Sequence, residues 1–547
     1  MERRTRASNK QKRFPADEDG ADGDDGTYAA SSGDETATPA RKKARPRAET
    51  VRAKARPSAP SKMESVQDRM LMYFGNRTSE LVRGIDVRDV WVNDHVLRAD
   101  KMTAPAPPPD SAPEGSQQTS MLTEEQAQRY MPPTDQELAC ELGETEFRLA
   151  AYGVRTLASL GSARDGALLH CGGYVTSAEW TTDGEAQYLA VAVVSQASEF
   201  SAPSLLPMAS PGVVQIWRFE GAAGRLGEPT LDVCLLHDWG TPWTVRWCPG
   251  GGGGGRVGVL AGAFQDGRAR VVEVRRGAKY VHVDQPLRTL ELPGVAITSV
   301  AWCSAGAVAV GCANGMVATF NVAAPDAAPT ACEPVHFSYV FAVAAARPNF
   351  AHFVCSTAAD GNTAIVDTRD TRCAVFTPRT KSYAQVCAWS PHVQSLIALE
   401  DPVTTKASAL RKASTGVSVT RHQATVMSLA TTECHPFLLS GAADGKVKMG
   451  NLVSRCLVSK RQVYKDWFQV QLFALSYSEK SGTYRFTESY AAEAVTGGGD
   501  AALRDQLVFP ETVCVSAVAW CTDPAYGGWY AAGMANGLLR VEDAASR

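Results

Sequence analysis

The chain has 547 residues, 44% of them hydrophobic, with a formal net charge of −3, so it can bury a sizeable core, and length alone predicts three or four domains. No apolar run approaches the roughly 20 residues of a membrane span, and the opening MERRTRASNKQKR lacks the apolar centre of a secretory signal; a soluble intracellular protein without a membrane partner is expected. The 14 cysteines include no Cys-x-x-Cys pair and many fall in strand-like runs, which predicts small buried hydrophobes rather than disulfides or a metal site.

Residues 1–62 hold 15 Lys and Arg against 10 Asp and Glu, leaving −8 on the remainder. The charge comes in blocks, basic RRTRASNKQKR, acidic DEDGADGDD and basic RKKARPRAETVRAKARPSAPSK, with too little apolar surface to fold, so a disordered tail is expected. Within it Arg41, Lys42, Lys43, Arg45, Arg47, Arg52, Lys54 and Arg56 are candidates for phosphate contact or nuclear import, against the alternative of a solvated tail with neither role. Residues 63–100 come next. Val66, Met70, Tyr73 and Phe74 share one helical face, and a second apolar run leads to Trp91, which predicts a short helical segment that either docks a partner or braces the domain behind it. Residues 101–137, with APAPPPDSAPEGSQQTS, read as a stiff, solvated linker.

From residue 138 onward a pattern repeats. In PWTVRWCPGGGGGGRVGVLAGAFQDGRARVVEV an alternating run ends at Trp247, and two short apolar runs are joined through Asp266-Gly267, the strongest short-range signal for a tight hairpin. Equivalent stretches carry Trp180, Trp302, Ala346, Trp389, Cys434 and Trp520 at the aligned position, with turns at Asn314-Gly315, Asp360-Gly361, Asp444-Gly445 and Asn536-Gly537. The steps between aligned positions, 67, 55, 44, 43, 45 and 86 residues, make seven units with room for insertions.

These units resemble WD40 repeats, which implies an all-β fold, a seven-bladed β-propeller over residues 138–547. In that family a His, a Ser or Thr and the turn Asp hydrogen-bond within a blade. His170, His237 and His336 each precede an aligned position by ten residues, and Asp266, Asp360 and Asp444 occupy hairpin turns, so the resemblance gives all six a structural role. Gly250 to Gly255 read as an expanded turn. A phosphate-cradling loop is disfavoured, because neither Lys-Ser nor Lys-Thr nor a helix pattern follows. His352 and Cys355 are the nearest approach to a metal pair, but three residues apart on a strand they point to opposite faces.

An insertion at 455–511 between the sixth and seventh units is rich in aromatics interleaved with cations, and reads as a β-hairpin turning at Lys480-Ser481-Gly482. Tyr464, Trp467, Phe468 and Phe473 are its candidate partner-binding residues, with packing on the propeller as the alternative. WFQVQLFALSYSEKSGTYRF and HDWGTPWTVRWCP, with the order of tail, helices and linker, resemble the WD40 subunit family of transcription factor IIIC. That resemblance implies a nuclear, non-enzymatic scaffold assisting B-box recognition in tRNA genes for RNA polymerase III. The implied partners are the largest DNA-binding subunit, a second propeller subunit and promoter DNA reached through the complex. No cofactor, metal or catalytic residue is expected; a histone-peptide-binding or other chromatin-associated propeller is the competing expectation.

Overall fold

A computed structural model describes residues 65–108, 110–133, 137–194, 210–380, 382–458, 468–494 and 508–545. The charged tail with its eight candidate cations lies outside the described residues, as do Tyr464 and Trp467. The described chain is predominantly β, and its strands fall into seven hydrogen-bonded sheets in a propeller-like arrangement. The sheets are numbered here by their first strands: Tyr174–Thr182, Pro242–Trp247, Ile297–Ser304, Val340–Ala346, Ala388–Ser390, Val426–Ala430 and Val515–Trp520.

Why these strands read as they do follows from how the sheets stack. Every residue of Ala186–Val194 is buried, as are eight of the nine in Arg256–Phe264. A middle strand covered by a neighbouring sheet on each face has no solvent side, so its sequence is continuously small and apolar where a one-faced strand would alternate. Polar side chains sew the sheets along their first strands. Thr176 donates to Pro242 O at 2.6 Å, Thr298 to Val340 O at 2.6 Å and Ser516 to Val175 O at 2.5 Å. The aligned tryptophans do the same from the other end: Trp247 Nε1 donates to Glu179 O and Trp302 Nε1 to Arg246 O, at 3.0 and 2.8 Å. Between the first two strands of the second sheet, five of the six glycines Gly250–Gly255 have positive φ, and a Cβ on Gly252 would meet Arg256 O at 2.1 Å, so this turn requires glycine.

Two N-terminal expectations need correction. Residues 101–137 are more than a solvated linker: Gln118–Met121 pairs with Tyr280–Gln285, and the preceding Pro-rich stretch, largely exposed, is tied to the sheets. Its carbonyls accept hydrogen bonds that prolines cannot donate: Pro113 O from Arg256 and Glu114 O from Arg288, while Gln117 exchanges two bonds with the Glu273 backbone. The start of the propeller, expected at residue 138, falls later. Residues 137–150 form a hairpin that extends the outside of the sixth sheet, where Cys140–Leu142 lies parallel to Tyr484–Phe486. The helical segment, α1 (Val66–Phe74) and α2 (Thr78–Trp91), braces the fold: Tyr73, Phe74 and Trp91 are buried, Trp91 meets Phe437 edge-on, and Asn451 donates to Trp91 O at 2.8 Å.

The two ends of the domain meet in one sheet. Leu538–Asp543 pairs antiparallel with Gly166–His170, so a strand from the N-terminal side completes the seventh sheet. Arg540 and Glu542 on the C-terminal strand are both fully buried. Arg540 Nε donates to Glu542 at 2.6 Å and its Nη2 reaches Glu488 of the sixth-sheet hairpin; Tyr530 and Tyr490 donate to the two Glu542 oxygens, and Ser162 donates to Glu488 at 2.9 Å. The guanidinium also lies over Phe473, 4.9 Å from the ring centre. Replacing Arg540 by Met leaves two carboxylates facing each other with no cation, and should cost about 3–5 kcal/mol. Chemical denaturation measures this; a loss below about 1 kcal/mol would mean the network contributes little to closing the fold.

Candidate functional site

Among the described residues no group of three or more His, Cys, Asp or Glu side chains is placed to hold a metal ion. Eleven of the 14 cysteines are buried, and burial pushes thiols such as Cys248, Cys303 and Cys387 up to about 12, far from thiolate chemistry at neutral pH. One titratable cluster centres on His282, with Nδ1 2.8 Å from Asp284 and Nε2 3.2 Å from Asp238. Asp238 is in turn held by Arg129 at 3.0 Å and accepts from the Tyr130 hydroxyl at 3.4 Å, and Ser120 donates to Asp284 at 3.3 Å.

The six structural positions divide into two kinds. Asp360 accepts from the backbone N–H of Phe337 and Asn362, lies 3.4 Å from His336 Nδ1, and His336 Nε2 is 2.8 Å from Ser356 Oγ. Asp444 makes the same arrangement with His422 at 3.2 Å, and His422 Nε2 reaches Ser440 at 2.9 Å. His422 was missed by the sequence reading because it sits twelve residues before the aligned Cys434 rather than ten. Asp266 departs from the expected partnership. It pairs with Arg270 at 2.9 Å, and Arg270 lies over Trp239, whose ring stacks on His237 at 4.8 Å; a cation and an indole occupy the space of the direct His–Asp bond. His170 ends the closing strand beside Asn536-Gly537, where no carboxylate is available to it.

The expected partner-binding aromatics fare differently from one another. Phe468 opens the strand Phe468–Ser478, which is the fourth strand of the sixth sheet and turns at 479–482 into Thr483–Glu488. Phe473 is fully buried between Phe486 and Arg540, so a docking role for its ring is corrected to core packing. Exposed apolar side chains lie elsewhere: Phe337 is 93% exposed, and Val375, Phe376 and Tyr383 are each about half exposed on the fourth sheet and the loop that follows it.

Electrostatics of the buried histidines gives a pH dependence. Burial, with Arg270 and His282 adding to it, takes His237 down to about 3; burial and His392 take His435 to about 3; burial and Arg83 take His392 to about 4. His422 and His336 are also lowered by burial, against the opposing pull of Asp444 and Asp360. Burial works to raise Asp444, but His422 and its backbone donors outweigh it and hold the carboxyl low. A group depressed in the folded state binds its proton first in the unfolded chain, so stability is full above pH 6.5 and falls as pH drops. Each buried histidine contributes about 1.4 kcal/mol per pH unit in that window. Thermal midpoints should therefore fall steadily from pH 7 to pH 5, and Asp360→Ala or Asp444→Ala should cost about 1–3 kcal/mol at pH 7. A flat profile, or no loss in either variant, would contradict the burial of these pairs.

No family model matches the chain. Two curated proteins are similar to it: transcription factor tau subunit sfc6 of Schizosaccharomyces pombe, 28% identical over 396 residues, and the transcription factor tau 91 kDa subunit of Saccharomyces cerevisiae, 27% identical over 398 residues. The matches cover 70% and 69% of this chain and span 65% and 58% of those proteins' own lengths. Among solved structures, a chain of the "Crystal Structure of Mitotic Checkpoint Complex" aligns with 69% of this chain and 95% of its own, at 13% identity and a TM-score of 0.42, a likeness on which nothing further rests. The two sequence matches agree with each other and with the resemblance read from the repeats and the aromatic hairpin, and by them the chain is similar to transcription factor tau subunits.

Proposed function

We propose that the chain is a non-enzymatic scaffold subunit of transcription factor IIIC, acting in the nucleus, whose seven sheets are the blades of one closed propeller. Similarity to two tau subunits over about 70% of the chain is the observation that carries this reading. The fold supports it: rigid stacked sheets braced by helices and straps offer broad faces for other proteins, and the described clusters of polar groups are spent on holding strands together. In this reading its partners are the other subunits, including the largest DNA-binding subunit and a second propeller subunit, and it assists their recognition of the internal B-box promoter in tRNA genes.

The basic block from Arg41 to Arg56 is assigned to phosphates or to nuclear import, and Tyr464, Trp467 and Phe468 to a partner subunit. Purification of the tagged chain from nuclear extract, followed by binding to a tRNA-gene fragment, tests the reading; a chain recovered alone, with no subunits and no promoter binding, overturns it. Replacing the eight cations by Gln should weaken promoter binding of the complex at low salt without altering sequence preference. Each lost phosphate contact should flatten the slope of log affinity against log salt by about 0.9. An unchanged slope with lost nuclear accumulation would make the block an import signal alone. Trp467→Ala with Phe468→Ala should reduce subunit recovery while the thermal midpoint stays within about 2 °C of the parent; loss of folding would place both rings in the core instead.

A further inference from the structure

The outer edges of the seven sheets are treated unequally. The outermost strand of a sheet presents unpaired N–H and C=O groups, and natural proteins cover, shorten or interrupt such edges. Here the first sheet's Thr230–His237 is covered by Tyr280–Gln285 in parallel, which is itself covered by Gln118–Met121. The sixth sheet is continued by the hairpin strand Thr483–Glu488, by Glu137–Leu142 and outermost by Thr145–Ala150, which carries the exposed charges Glu146 and Arg148, and the seventh sheet is continued by Val154–Thr156. In the second sheet the edge strand Arg288–Leu290 has only three residues, and Arg288 is tied to the Glu114 carbonyl of the strap. The third sheet's edge is bounded by Pro329 and Pro334. The fifth sheet's Lys412–Arg421 is bound by α3 (Leu452–Cys456), whose Arg455 donates to Ser418 O at 2.8 Å, and by Gln469, which accepts from Arg421 N.

The fourth sheet is the exception. Its edge strand Asp370–Phe376 has seven residues and no proline, and among the described residues it pairs only with Thr363–Asp367. Thr377 donates its N–H to Thr363 O, so by the alternation of an antiparallel ladder Val375 also bonds inward, and the backbone groups of Phe376 face away from the sheet. Val375 and Phe376 are 50% and 46% exposed, the reverse of the charged residues that guard edges elsewhere. Directly beside them is an apolar cavity of about 290 Å³, lined by Phe350, Phe353, Ile365, Cys373, Val375 and Leu410, with Arg411 at its lip. Exposed Arg372 and Lys412 adjoin its lining residues Cys373 and Arg411 in sequence, while Arg379 is held to Asp360 O; the carboxylates at the strand are the exposed Asp370, and Glu333, which accepts from Thr371.

We infer that the Asp370–Phe376 edge is a docking site for an extended segment of another protein subunit, which adds a strand to the fourth sheet, seats an apolar side chain in the cavity and places an acidic residue toward the flanking cations. Edge hydrogen bonding selects an extended chain, the cavity selects an apolar residue at alternate positions, and the positive rim selects against a basic partner. The chain already covers its own first and sixth sheets in this way, with segments drawn from outside the repeats. The inference rests on the reading of the chain as a complex subunit.

Amide exchange on the purified complex and on the isolated full chain, with Val375→Lys and Phe376→Pro variants, tests both levels separately. Proline at 376 removes an outward donor and no ladder bond. We expect peptides covering 370–376 to exchange at least about tenfold more slowly in the complex, with the 329–334 edge unchanged. We expect each variant to lower recovery of one subunit by about tenfold at a thermal midpoint within about 3 °C of the parent. A complex that forms fully with unchanged exchange at 370–376, or that recovers every subunit with Val375→Lys, overturns the docking site and leaves the subunit reading intact. Protection that arises instead from self-association of the isolated chain also overturns it. A chain that enters no complex overturns the subunit reading, and the docking site with it. Should Phe376→Pro fail to fold, Val375→Lys and the exchange of the parent chain decide.

Discussion

Everything else in this fold depends on the strand pairing that joins Leu538–Asp543 to Gly166–His170. Sheets that pack side by side in a circle gain from each contact only if the last sheet is complete. An open seventh sheet would expose the buried edge of Leu538–Asp543 to water and to other chains. The pairing brings residues about 370 positions apart into register, and the entropy of that closure must be met by interactions at the seam itself. The seam holds a buried guanidinium between two carboxylates, with two phenols and a serine donating to the carboxylate oxygens. Charges this deep are costly when incomplete and specific when complete. They join the seventh sheet to the sixth-sheet hairpin as well as completing the seventh.

The same economy of polar groups runs through the rest of the molecule. Hydroxyls and indole N–H groups along the first strands bond across sheet boundaries, while His336, His422, Asp360 and Asp444 hold hairpin turns to the strands beneath them. Such groups are inward-facing and paired, and they hold strands and turns in register. Around them lies the outside of the sheets. The N-terminal helices, the Pro-rich strap and two extra hairpin strands already occupy part of it.

How far the sequence discloses this depends on whether a signal is local. Asp266-Gly267 and Asp360-Gly361 announce their turns because positive φ is a property of the residue itself, and Gly267 and Gly361 adopt it. Trp247 and Trp302 mark the ends of first strands for the same kind of reason. His422 is hidden by a two-residue shift in loop length. The strand Gln118–Met121 is hidden because QTSM has little β character and forms only against Tyr280–Gln285. Arg540 looks like a surface charge within LLRVED, since nothing in that stretch tells of Glu488 waiting 52 residues earlier. Phe473 misleads in the opposite sense: an aromatic beside cations suggests an exposed anchor, yet its cation is Arg540, and both are interior.

Native-state hydrogen exchange across the seam tests the account most directly. Peptides 166–170 and 538–542 should exchange together, only through global unfolding and with the full unfolding free energy, although one lies toward the N-terminal side and the other at the C-terminal end. Exchange of 166–170 at the rate of exposed loops, with 538–542 still protected, would show that the N-terminal strand does not complete the seventh sheet.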